Sequence, residues 1–83
     1  MARNEIFQKV LHIVKPFVKN QEAFTNATDE TRFIEDLKIN SARLVDIVLA
    51  FEDEFQFPIS DDEAEEIQTI GSAVNLIQKK KQA

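Results

Sequence analysis

One serine and a run of carboxylates are the residues whose types and spacing could support chemistry in this chain. Ser41 follows Asn40 where a polar approach, Glu35-Asp36-Leu37-Lys38-Ile39, gives way to a helical pattern. A serine at such a boundary has two uses. Its oxygen can cap the helix by accepting from first-turn amides. Its hydroxyl can also serve as a surface attachment point, beside amide dipoles that favour a phosphate. The carboxylates follow: from Asp46 to Glu66 there are nine acids and no base. An acidic surface of this kind disfavours nucleic acid and suits a basic protein partner. The competing use is a solvated face that keeps the domain soluble.

Other chemistry is poorly supplied. His12 is the only histidine and lies off the apolar face of its helix, with no nucleophile or carboxylate partner identifiable along the chain. Without cysteine there are no disulfide staples or thiolate metal sites. Ser60-Asp61-Asp62-Glu63 matches a capping box, which places its acids in the first turn of a short helix. The ligand spacing of a calcium-binding loop is absent, and no resident metal is expected. With no glycine-rich phosphate loop, histidine cluster or nucleophile triad, the chain is expected not to be an enzyme. Any chemistry it joins is performed by another protein.

The elements that must position these residues are helical. Eighty-three residues, 43% hydrophobic and 30% charged, fit one domain spanning 1–83 with a single core. One glycine and two prolines favour helices over hairpins. Ile6, Val10, Ile13, Val14 and Phe17 repeat on one helical face, so a first helix is expected from an Asn4 N-cap to about Lys15. Pro16 stops or kinks it, with Phe17 and Val18 still buried. Residues 19–40 show no clear period and are expected to form a long crossover. Phe24, Phe33, Ile34 and Leu37 anchor it, with room for one helical turn near Thr31–Ile34.

The second helix is expected from Ser41 to Phe55 and carries two apolar stripes. Leu44, Ile47, Val48, Phe51 and Phe55 share an arc about 100° wide, the core face. Nearly opposite lie Ala42, Val45 and Leu49, interleaved with Asp46 and Asp53, where an ordinary bundle helix would be polar. Pro58 ends this element. A short helix over Asp61 to about Glu66 and a last helix capped by Thr69 follow. The last carries Ile70, Ala73, Val74 and Ile77, then Lys79, Lys80 and Lys81 where cations complement the exposed carbonyls. The fold class is all-α: a small four-helix bundle, three main helices plus one short one, with a long first loop.

Several placements follow. No apolar run approaches the length of a membrane span, and Met1-Ala2-Arg3-Asn4-Glu5 lacks the pattern of a secretory signal. Asn26-Ala27-Thr28 spells a glycosylation sequon by chance. A cytoplasmic monomer that binds neither nucleic acid nor membrane is expected, with a net charge of −5.

The ordered set Glu35-Asp36-Leu37, Asn40-Ser41-Ala42, Val45-Asp46 and Phe51-Glu52-Asp53-Glu54-Phe55-Gln56-Phe57-Pro58-Ile59 resembles the acyl carrier protein family. Asp62-Glu63-Ala64-Glu65, Ile67-Gln68-Thr69-Ile70 and Ala73-Val74 continue the same order and spacing. The resemblance implies that Ser41 receives 4'-phosphopantetheine from coenzyme A through a magnesium-dependent transferase. The thiol of that arm would carry acyl groups as thioesters between enzymes of fatty-acid, lipid or polyketide-type biosynthesis. It further implies that the partners are a phosphopantetheinyl transferase and acyl-transferring enzymes with basic docking surfaces. These would meet Ala42, Arg43, Val45, Asp46, Leu49, Glu52 and Asp53, and the acyl chain would shelter in the bundle core.

The chain departs from the family's Asp-Ser-Leu motif. Asn40 keeps an oxygen but loses a charge associated with the metal during loading, and Ala42 shortens an apolar contact. Arg43 stands where an acidic or polar residue is usual, and Lys38 where glycine is common. These changes suggest a specialised carrier with its own partners. The other reading is a carrier-like module that is never loaded and serves only protein interaction.

Overall fold

Every apolar series in the chain that keeps a helical period forms a helix in the computed structural model, which describes residues 2–82. The helices are α1 (Arg3–Val14), α2 (Gln21–Thr25), α3 (Leu44–Phe55), α4 (Asp61–Glu65) and α5 (Ile70–Gln82). Helix α1 packs on α5 and α3. Between them lies one core built from Ile6, Val10, Val14, Ile47, Phe51, Phe55, Ile70, Val74 and Ile77. The fold is the expected helical bundle, with one short helix more than the pattern predicts. None of the described helices is long and apolar enough to cross a membrane.

Helix α1 begins two residues before expectation. Ala2 occupies the N-cap position and its N–H donates to Glu5 Oε1 at 3.4 Å, which puts Asn4 inside the first turn. The guanidinium of Arg3 fastens that turn to Asp29 (2.8 Å) and to Asn75 of α5 (2.6 Å). The helix stops at Val14, and Lys15–Phe17 tighten into a 3₁₀ turn around Pro16. That is where a residue without an N–H belongs. Val18 is buried and Phe17 is half-buried.

Helix α2 lies in the segment expected to be a loop. Asn20 Oδ1 accepts from the Ala23 N–H at 3.1 Å, so the cap was present in the sequence. Five residues are too few to display a period. The rest of the crossover is pinned as expected by Phe33 and Leu37, and also by Ile39, all buried. Ile34 is not an anchor: it is 43% exposed, on a turn closed by the Leu37 N–H donating to the Arg32 carbonyl at 3.0 Å.

A single antiparallel bridge, Arg32 with Thr69, staples this crossover to the link between α4 and α5. Beside it the Ile70 N–H donates to the Thr31 carbonyl (3.0 Å) and the Gly71 N–H to the Asp29 carbonyl (2.8 Å). A Cβ at Gly71 would lie 2.8 Å from both the Cβ and the carbonyl oxygen of Asp29, so only glycine admits the approach. Thr69 caps α5 as expected, its Oγ1 accepting from the Ser72 N–H at 3.0 Å.

Helix α3 ends at Gln56, whose left-handed backbone (φ 60°) turns the chain before Pro58. The capping box of α4 forms as predicted, with Ser60 and Glu63 exchanging bonds of 3.0 and 3.2 Å. Lys80 of α5 donates to both oxygens of Glu63 at 2.9 and 2.8 Å and lies 5.6 Å from the centre of the Phe57 ring. Helix α4 is therefore fixed from two sides.

Candidate functional site

The approach to Ser41 is shaped by two residues before it. Lys38 has φ 58°, the left-handed region that disfavours side chains, which accounts physically for a preference for glycine there. Asn40 is the N-cap: its Oδ1 accepts from the Ala42 N–H at 2.9 Å and its carbonyl from the Arg43 N–H at 2.8 Å. This corrects the capping role considered for Ser41, and the reason is geometric. The chain enters a 3₁₀ turn at Ser41–Arg43 before α3, so the extended residue that can cap is the one before the serine.

Ser41 is exposed and, among the described residues, its hydroxyl makes no hydrogen bond. The amides of Ala42, Arg43 and Leu44 already have acceptors in Asn40 Oδ1, the Asn40 carbonyl and the Ser41 carbonyl. A phosphate at this end would therefore be favoured by the helix dipole rather than by donors left open in the first turn. The serine fits a covalently held group because its hydroxyl is accessible and not needed by the fold.

Helix α3 is oriented as its pattern requires. Ile47, Phe51 and Phe55 are buried, while Leu44 and Val48 are half-buried against the core. On the outer side Ala42 is exposed, and Val45 and Leu49 are 65% and 55% exposed. The carboxylates along this helix differ in what they already hold. Asp46 pairs with Arg43 at 2.9 Å. Glu52 accepts the Ile59 N–H at 2.7 Å, a bond that secures the link to α4. Glu54 pairs with Lys9 of α1 at 3.1 Å. Asp53 is exposed and forms no ion pair among the described residues.

A cleft of about 860 Å³ includes Leu44, three residues after Ser41, in its lining. Its walls are the turn carrying Phe33, Ile34 and Glu35, the start of α3 at Leu44, and the end of α4 at Ala64 and Ile67. The Leu44 N–H donates to the Ser41 carbonyl, which ties this lining residue to the turn that carries the serine. An Arg32–Glu35 ion pair lies at this cleft. No periodicity in the chain pointed to it, since it forms between a crossover and a short helix far apart in sequence.

His12 is exposed on α1. Among the described residues no three His, Asp or Glu side chains gather where they could hold a metal ion.

Comparison with known proteins decides what this arrangement belongs to. A family model described as the phosphopantetheine attachment site matches residues 5–77. Acyl carrier proteins from Petrotoga mobilis and Picosynechococcus are 39% and 41% identical over 80 and 76 residues. These matches cover 96% and 92% of this chain, and 92% and 91% of those proteins. The chain belongs to the acyl carrier protein family. A solved structure of the acyl carrier protein from Enterococcus faecalis is similar with a TM-score of 0.77 and 37% identity, over 95% of this chain and 98% of that one. The carrier thus has the family's helical fold, its acyl-carrying role and its covalent cofactor, 4'-phosphopantetheine.

Proposed function

We propose that Ser41 holds the phosphopantetheine arm and that residues 1–83 form one carrier domain. It serves enzymes of fatty-acid, lipid or polyketide-type biosynthesis and catalyses nothing itself. One observation carries the reading. The serine just before α3 is exposed and relieved of capping by Asn40, at the head of an outward apolar stripe and three residues before Leu44, which lines the cleft.

When bound, the arm supplies a terminal thiol on which acyl groups travel as thioesters. The chain's own residues do the rest. Asn40 holds the turn that presents Ser41. Phe33, Ile34, Leu44 and Ile67 offer an apolar acyl chain a surface away from water. Val45 and Leu49 stand outward for an enzyme to cover, with the exposed Asp53 attracting a basic one.

Incubation with coenzyme A, magnesium and a phosphopantetheinyl transferase tests the attachment. The intact mass rises by one phosphopantetheine in the wild type and stays unchanged in Ser41→Ala. Asn40, where the family motif has aspartate, favours the second reading of an unloaded interaction module. An unchanged mass in the wild type, with loading restored in Asn40→Asp, would support that module.

A further inference from the structure

The outer face of α3 changes sign along its length. At the Ser41 end Arg43 is exposed, with Nη1 2.9 Å from Asp46 Oδ2. A guanidinium carries five N–H donors in a fixed fork, so this pair leaves others for an outside acceptor. Exposed Lys38 adds a second cation on the approach. Against these two cations the first turn of α3 supplies Asp46 alone, and it is already paired. Toward the other end Glu52 and Glu54 are engaged within the fold, and Asp53 is the exposed carboxylate without an ion pair. Val45 and Leu49, both exposed, come between these residues along the chain.

Helix stability does not account for Arg43. A cation at the N-terminal turn opposes the helix dipole, and the order base-then-acid is the weaker one for a helical pair. An exposed pair of this kind adds little to stability. A residue that breaks a local rule without a gain in the fold points to a role outside it.

We propose that Arg43 selects the partner of this carrier. The matching enzyme places an acidic side chain opposite Arg43 and a basic one opposite Asp53, on either side of an apolar contact with Val45 and Leu49. The proposal rests on Ser41 as the attachment site and deepens that reading by stating the partner's chemistry. A uniformly basic docking surface meets like charges at Lys38 before the serine and Arg43 after it, and finds Asp46 already paired.

The probe is a broad-specificity phosphopantetheinyl transferase with a basic docking surface, supplied with coenzyme A. Loading rates of the wild type, Arg43→Gln and Arg43→Glu are followed by intact mass at low and high salt, with Ser41→Ala alongside. Arg43→Glu loads roughly tenfold faster than wild type at low salt, the scale of electrostatic steering. Arg43→Gln falls between them, and the differences collapse at high salt. Equal rates at low salt would overturn the proposal. Loading that persists in Ser41→Ala, or no loading of any variant with stoichiometric transferase, would overturn the attachment reading instead.

Discussion

Helix α3 carries two apolar stripes of similar composition and opposite fates. Ile47, Phe51 and Phe55 are buried against α1 and the rest of the core, whereas Ala42, Val45 and Leu49 face outward. Both stripes follow from one 3.6-residue period. The inner one is explained by the hydrophobic effect acting within the chain. The outer one is left exposed among the described residues, and it starts beside Ser41. A second apolar stripe on a helix whose first already fills the core is the feature on which the proposed docking role rests.

The sharpest way to break this comparison is to truncate one residue from each stripe. Phe51→Ala should cost about 3–5 kcal/mol of stability, the scale of a core aromatic truncation. Leu49→Ala should stay within about 0.5 kcal/mol, as surface substitutions do. Urea titration of both variants checks this, and equal losses would mean that the two faces are not distinct.

A smaller effect tests the junction where the outer stripe begins. Asn40→Ala removes the acceptor for the Ala42 N–H and should cost about 1 kcal/mol, while Asn40→Asp keeps it and should be near neutral. Thermal melting separates the two. A neutral Asn40→Ala would return the capping role to Ser41 and so weaken the case that its hydroxyl is free.

The smallest effect concerns the side of the cleft that α4 supplies. The Lys80 ammonium, and after it the Ser60 N–H, lower the Glu63 carboxyl from its ordinary value of 4.5 to about 2. Because the folded state favours the carboxylate, the stabilisation is complete above the ordinary value. It is lost as pH falls from about 4.5 to about 2. Glu63→Gln should therefore show a shallower fall in melting temperature across that window than wild type. A wild-type profile as shallow as the variant's would mean that the Lys80–Glu63 contact does not secure α4.

The long periodic elements were legible in the sequence because burial of one face imposes a repeat. Helix α1 was placed to within two residues at its start and one at its end, the rotation of α3 was right, and the caps at Ser60 and Thr69 formed as read. The failures share a cause. Helix α2, the exposure of Ile34 and the choice of Asn40 over Ser41 as cap all depend on how an aperiodic crossover folds back. Local residue types do not encode that path. The cleft was invisible for the same reason, since the turn after Arg32 and the end of α4 meet only in three dimensions. Glycine's absence at position 38 was readable as a departure, but its meaning needed the left-handed backbone there. The contrast among Asp46, Glu52 and Asp53 needed side-chain partners, which acidic composition cannot supply.

The central claim is that the hydroxyl at the head of the outer stripe is where the cofactor is attached. Intact mass of the protein purified from its native cells, followed by peptide mapping, tests it most directly. The account predicts a mass increased by one phosphopantetheine, with or without an acyl group, and the increment located on Ser41. A native protein with the unmodified mass, or an increment mapped to any other residue, would contradict it.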